Sequence, residues 1–292
     1  MIQSNKIVNL ILTLTVLAIA IAVSGCDDRT IDAFEEQQGL YSVYGALEVG
    51  SSSNYIRVRK VDTPLLADSS AFEGTVTFTD LESGFTSELN DSIVEFNGNY
   101  THNFYVDHFI QYNQEYLVQV ESPDGQITES IASTPQQSTI EYTPSENLGC
   151  ATTLDFTFSN VVKPEFMRMD IGVFYQGVFH QSTLDFVDQI RHKDGTDEMY
   201  VQLSPRNMLV EIFTPPLPDD TTLDPKTLRP TVQCFQLQPR TIFLEIYHFG
   251  KEWDGALPSA AANLDIESGD IQNGIGFFGG YSKQSIFIPV EF

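Results

Sequence analysis

The run EYLVQVESPDGQITESIAST, residues 115–134, is a hairpin legible in sequence. Apolar and polar residues alternate on either side of Ser-Pro-Asp-Gly, which is the period of a half-buried strand. In the turn, Pro presets φ for one central position and Gly accepts a positive φ. The same pattern fills residues 40–136. LYSVYGALEV, NYIRVRKVD, GTVTFTDLES and SIVEFNGNYTHNFYV are rich in Val, Ile, Thr, Tyr and Phe, and GSSSN, ESG and NGN separate them. No helical period appears there. The expected fold class is mainly β, with an immunoglobulin- or fibronectin-like sandwich over 40–136. TPQQSTIEYTPSE reads as a linker. Residues 137–292 continue the β pattern through TLDFTFSN, FMRMDIGVFYQGVFHQS, EMYVQLS, MLVEIFTPP and SIFIPVEF. They form a second mainly β domain with one or two short helices, for which STLDFVDQIRHKDG is a candidate. RTIFLEIYHFGKEW suits a strand by composition, while Ile242, Ile246 and Phe249 also fit one helix face.

Charge narrows the function classes. The 292 residues carry 15 Lys and Arg against 40 Asp and Glu, a net −25. A polyanion of this size is repelled by phosphate backbones, which argues against nucleic acid as a partner. Arg57, Arg59 and Lys60 form the one notable basic cluster, with Arg57 and Arg59 on the same face of a strand.

The N-terminus places the chain in the cell. MIQSNK supplies one Lys, and IVNLILTLTVLAIAIAV is short for a membrane span and interrupted by Asn9 and two Thr. It ends at Val23-Ser24-Gly25-Cys26, which resembles a bacterial lipobox. Such a Cys is diacylated on sulfur and becomes the acylated N-terminus once the signal is removed. The expectation is a lipoprotein signal peptide over 1–25, lipid (palmitate-type chains) on Cys26, and an acidic tether over 26–39. More than one acyl chain makes a stable anchor. Asp27 and Asp28 resemble a surface-export tag in Bacteroidota lipoproteins and an inner-membrane retention tag in enterobacteria.

Motifs that suggest chemistry fail on context. GIGFFGG has G-x-G-x-x-G spacing at Gly274, Gly276 and Gly279, but only twelve residues follow Gly280. A dinucleotide site needs a following helix and strand. The run is therefore expected to be a turn or bulge with close backbone packing, and at least one of Phe277 and Phe278 is expected in the core. NLDIESGD resembles a calcium loop at Asn263, Asp265 and Glu267, but its Gly is one position late and no terminal Glu follows. His102, His108, His180, His192 and His248 make neither H-x-x-x-H nor H-E-x-x-H, and no G-x-S-x-G occurs. No catalytic, cofactor-binding or metal-ligating residue is assigned, and no cofactor is expected. Cys150 and Cys234 are a candidate disulfide in an exported domain, the alternative being two buried free thiols. Tyr100, Phe104, Tyr105, Phe109, Tyr112 and Tyr116 are either core or an exposed binding surface, with core expected.

GDIQNGIGFFGGYS after FLEIYHFGKEWDG is similar to the closing signature of the Bacteroidota lipoprotein family known as domain of unknown function 4249, with Asp270 where that family usually has Asn. The lipobox and LYSVYGALEV belong to the same resemblance. It implies a β-sandwich followed by a mixed, mainly β domain, and a helical Tyr-rich segment, which tips RTIFLEIYHFGKEW towards helix. It also implies surface export for Asp27-Asp28 and gene neighbours encoding TonB-dependent outer-membrane receptors.

Together these readings describe an outer-membrane lipoprotein, held through its lipid and facing the cell surface or the periplasm. It is expected to be a non-catalytic binding or accessory protein working with a TonB-dependent transporter. The alternatives are a surface hydrolase with a carboxylate-based site, and a structural or adhesive surface protein.

Overall fold

Alternating burial turns the sequence pattern into sheets. The computed structural model describes residues 41–61, 70–96, 99–143, 149, 152–161, 167–184, 186, 189–193, 195–196, 198–213, 241–253 and 271–289. Among them are sixteen strands and one α-helix, so the protein is mainly β. With strands numbered along the chain, an eight-stranded sheet has the order β12 (Val178–Leu184), β11 (Met167–Tyr175), β15 (Thr241–Phe249), β16 (Gly274–Pro289), β1 (Tyr41–Glu48), β2 (Asn54–Lys60), β6 (Asn99–Val106), β5 (Asn90–Phe96). One four-stranded sheet has the order β4 (Thr86–Glu88), β3 (Thr75–Asp80), β7 (Glu115–Glu121), β8 (Ile127–Ser133). Another has the order β13 (Arg191–His192), β14 (Met199–Leu203), β10 (Leu154–Ser159), β9 (Thr139–Tyr142). The predicted hairpin at Ser-Pro-Asp-Gly is the β7–β8 pair, Glu121 opposite Ile127.

The two small sheets bury one face of the large one. Tyr41, Val43, Ile56, Phe78, Tyr116 and Phe278 belong to a first core, and Phe156, Phe158, Met169, Leu244, Ile286 and Ile288 to a second. Phe278, Ile286 and Ile288 are all even positions of β16, and strand side chains alternate between faces. One strand therefore feeds both cores from the same face. Each fully buried apolar side chain contributes roughly 1.5–3 kcal/mol relative to exposure.

β16 joins the two halves of the chain. It pairs antiparallel with β15 and parallel with β1, in an unbroken register from Tyr41↔Gly274 to Glu48↔Tyr281. Its lead-in is fastened to β8: Glu129 bridges Gln272, Thr128 Oγ1 donates to Asn273 O at 2.8 Å, and Asn273 Nδ2 donates to Ile127 O at 3.0 Å. The first core thus takes Ile271 and Phe278 from the far end of the chain.

GIGFFGG forms the start of β16. The turn or bulge expected there gives way to continuous strand, because β1 pairs with it residue for residue and each glycine is crowded. Gly276 has φ +125°, and a Cβ on it would overlap the carbonyl oxygen of Val43. On the opposite face, Gly279 leaves room for Trp253, whose Nε1 donates to Gly280 O at 3.0 Å and whose ring lies 4.4 Å from Phe277.

Two local expectations are corrected. Residues 241–249 form strand β15, not helix. Ile242, Leu244, Ile246 and His248 are buried, Phe243, Glu245 and Tyr247 are partly exposed, and hydrogen-bonded neighbours on both sides favour β-branched and aromatic residues. Conversely, MLVEIF, expected as strand, lies in helix α1 (Pro205–Phe213). Ser204 caps it: the Asn207 amide donates to Ser204 Oγ at 3.3 Å, and Pro205 takes the first helical position, where its missing N–H costs nothing. Met208 and Leu209 anchor the helix in the second core. Ser204→Ala is expected to lower stability by about 1 kcal/mol in a urea melt; an unchanged midpoint would remove the cap. In STLDFVDQIRHKDG the described residues give the end of β12, one tight turn closed by the Gln189 amide on Phe186 O at 2.8 Å, and β13.

Candidate functional site

The face of the eight-stranded sheet turned away from both cores carries large apolar side chains. On β12, β11, β15 and β16 the registers stack it into rows. Gln181, Gly172, Phe243 and Phe287 form one row, and Thr183, Asp170, Glu245 and Ser285 the next. Phe174 and Phe179 pair beyond the first row, and Arg168, Tyr247 and Lys283 lie beyond the second. Phe174 and Phe287 remain 58% and 59% exposed, so no described element covers them. Scattered surface apolars are ordinary, but a contiguous patch is informative.

Gly172 lets a neighbouring ring lie across the strand. It interrupts the aromatic row, and the Phe179 ring lies over it so closely that a Cβ at 172 would overlap the ring. Phe174 and Phe179 sit 5.0 Å apart between centroids, Phe179 and Phe243 5.9 Å, and Phe243 and Phe287 5.3 Å, the last two edge to face. A cavity of about 180 Å³ opens between the rings of Phe179, Phe243 and Phe287 and Asp170, Gln181, Glu245 and Ser285.

The polar row is held in place. Arg168 grips Asp170 with two bonds, Nε to Oδ1 at 2.8 Å and Nη2 to Oδ2 at 2.9 Å, and Thr183 Oγ1 adds a third to Oδ1 at 2.8 Å. Tyr247 donates to Glu245 Oε2 at 2.9 Å, and Lys283 Nζ stands 3.9 Å from Glu245 Oε1. Burial, then the Glu245 carboxylate, hold the Tyr247 hydroxyl in its protonated, donating form by raising its pKa. Tyr281, beside Glu48, is pushed up to about 12, mainly by burial.

The same face bears the basic cluster. Arg57 lies opposite Tyr44 and Asn103, and Arg59 lies opposite Ser42, as the predicted shared strand face requires. With Tyr100 and Thr101 they line a cavity of about 200 Å³, and neither arginine has an ion-pair partner among the described residues. Burial raises the Tyr44 pKa, partly offset by Arg59.

A more spacious cavity, about 540 Å³, is lined by Glu115, Glu129, Lys251, Glu252 and Gln272. Lys251 donates to Glu115 at 2.8 Å, and this pair lowers the Glu115 pKa; both side chains are exposed, so it adds little stability. Among the described residues, no three His, Cys, Asp or Glu side chains converge as a metal requires.

The histidines are dispersed. His102 meets Asp91 at 2.7 Å, while His108 meets Asp80 at 3.2 Å and stacks on Phe85. Burial pushes the Asp80 pKa up, but hydrogen bonds from Ser83, Glu82 and His108 outweigh it and leave the carboxyl below its usual range. His248 is buried between the sheets, which pushes its pKa down to about 4, and its Nδ1 has no partner among the described residues. The unfolded chain, with an imidazole near 6.5, then binds the extra proton between these values. Stability should hold above about pH 6.5, fall by on the order of 3 kcal/mol as pH drops to about 4, and level off below. Comparing urea midpoints of wild type and His248→Gln across pH 4–7 isolates this slope; parallel curves would mean that His248 ionises in place.

Cys26, Cys150 and Cys234 lie outside the described residues, as does the calcium-like stretch Asn263–Asp270. The Tyr/Phe cluster divides: Phe104 and Tyr116 are core, whereas Phe109 and Tyr112 are exposed. Sequence reasoning missed the Phe174/Phe179/Phe243/Phe287 patch. Its one sequence signal is a pair of adjacent strands, 167–175 and 178–184, with aromatics on the polar phase of the alternation, but Phe243 and Phe287 join only through sheet register.

No protein-family model matches the chain, and no curated protein matches it. Among solved structures, a pullulanase from Anoxybacillus sp. LM18-11 aligns at TM-score 0.22 and 10% identity over 56% of this chain and 22% of that one. The same enzyme complexed with maltotriose aligns at 0.23 and 9%, with the same coverage. The match spans under a quarter of those enzymes, and such TM-scores do not establish a shared fold.

Proposed function

We propose that this protein is an outer-membrane or surface lipoprotein that binds rather than transforms its ligand and works beside a TonB-dependent transporter. The observation that carries the reading is the uncovered, concave aromatic face of the eight-stranded sheet, whose flanking carboxylates are occupied in fixed hydrogen bonds. Val23-Ser24-Gly25-Cys26 supports the lipid anchor, and the 26–39 tether would hold the sheet off the bilayer. The transporter partnership rests on the likeness of the C-terminal run to the lipoprotein family above.

Tagged protein purified from outer membranes tests both parts. The mature N-terminal peptide should begin at Cys26 with acyl mass, Cys26→Ser should leave the membrane fraction, and a large β-barrel receptor should co-purify with the wild type. An unmodified peptide crossing Gly25-Cys26 would end the lipoprotein reading. A clean anchor with no barrel partner would end the transporter role.

A further inference from the structure

We propose that the cavity beside Gly172, lined by Phe179, Phe243 and Phe287, is a binding site for a neutral carbohydrate, one sugar ring deep. This deepens the binding reading above and rests on it for physiological meaning, although the site itself stands on geometry alone.

Two adjacent rows of side chains select the ligand. A pyranose has an apolar face of C–H groups and a rim of hydroxyls. The ring row offers the first a platform that is exposed, concave and built from rings braced edge to face against one another. The next row offers the hydroxyls fixed partners two residues along each strand, on the same face. Asp170 is oriented by Arg168 and Thr183, yet among the described residues Oδ2 accepts one bond of the two it can take. Glu245 is oriented through Oε2 by Tyr247, while Oε1 faces Lys283 only at 3.9 Å. The exposed Gln181 amide and Ser285 hydroxyl, which also line the cavity, both donate and accept. Such groups reward a ligand that donates and accepts in turn.

Other occupants fit less well. The 180 Å³ volume is below the ~300–1,000 Å³ of pockets that enclose a drug-sized molecule, and suits a single ring of a longer chain. An anionic ligand would meet two carboxylates on a chain of net charge −25. A cation would find those carboxylates already facing Arg168 and Lys283. A protein partner would want charge absent from the centre of the patch, whereas Asp170 and Glu245 sit opposite each other beside the rings.

The test uses the full-length lipoprotein in a detergent without a sugar headgroup, titrated calorimetrically with malto-, cello-, laminari-, manno- and xylohexaose. At least one should bind, with a dissociation constant on the order of 0.1–1 mM for so shallow a site. Phe243→Ala and Phe287→Ala should each weaken that binding by about tenfold or more, since each removes a ring buried by the ligand. Arg57→Ala, on the same face but on β2 and lining a separate cavity, should leave it unchanged. Phe287 is exposed, so its variant should melt like wild type and still report on binding. No binding by any of the five sugars, or equal binding by wild type and both Phe variants, overturns the proposal. Sugar binding without a co-purifying receptor would remove the transporter role and keep the site. A receptor lost with Phe287→Ala, in a protein that binds none of the sugars, would make the patch a protein-docking surface: the proposal then fails while the accessory reading stands.

Discussion

Phe278→Ala is expected to destabilise the protein by about 3–5 kcal/mol, whereas its neighbour Phe277→Ala should cost about half that or less. Phe278 is 2% exposed and belongs to the first core with Tyr41, Val43 and Ile56. Its ring lies over Gly45, so closely that a Cβ at 45 would sit 2.9 Å from Phe278 Cδ2. With Ala at 278, two small residues would face each other across strands β1 and β16, leaving a cavity bordered by Ile56. Phe277 points to the opposite face, where Trp253 covers it only in part. For a chain of this size each kcal/mol moves the melting midpoint by about 2–4 °C, so Phe278→Ala should melt about 6–20 °C below wild type. Thermal melts of the two variants side by side decide it. Equal midpoints would mean that the core does not depend on Phe278.

Gly276→Ala is the second large effect, with an expected cost of about 3 kcal/mol or more. Two penalties combine. At φ +125° any L side chain is strained, and the new methyl would overlap the Val43 carbonyl, a backbone atom held in the sheet. The chain cannot relieve the overlap without opening the parallel β1–β16 seam, through which the N-terminal strand joins the C-terminal one. The damage should therefore appear as faster amide exchange along both β1 and β16. Wild-type protection in β1 of the Ala variant would show that the seam tolerates a Cβ and that Gly276 is not required for it.

These two residues also mark where sequence stopped being sufficient. Strand class was legible because alternation and turn chemistry are local: Tyr116, Val118 and Val120 face one way whatever they pack against, and Ser-Pro-Asp-Gly turns the chain by its own φ preferences. Net charge and the Val23-Ser24-Gly25-Cys26 run are likewise properties of the chain alone. Helix α1 was legible in principle, since Ser204-Pro205 is a start signal, but its apolar run resembled a strand in a β-rich context. Segment 241–249 was ambiguous because short apolar runs fit both periods, and only neighbours on both sides resolve them. The face given to Phe278 rather than Phe277, the need for Gly276, and the meeting of Phe174, Phe179, Phe243 and Phe287 are not local at all. They follow from the registers β1–β16, β15–β16 and β11–β15, which join segments from 41 to 289. A register is chosen by the summed burial of whole faces, and a shift of one residue would turn every side chain of a strand to the other side. Alternation along the sequence therefore determined that this chain makes half-buried strands with one polar and one apolar phase. The tertiary structure decided which strands lie side by side, and so which of the exposed aromatics converge into a site.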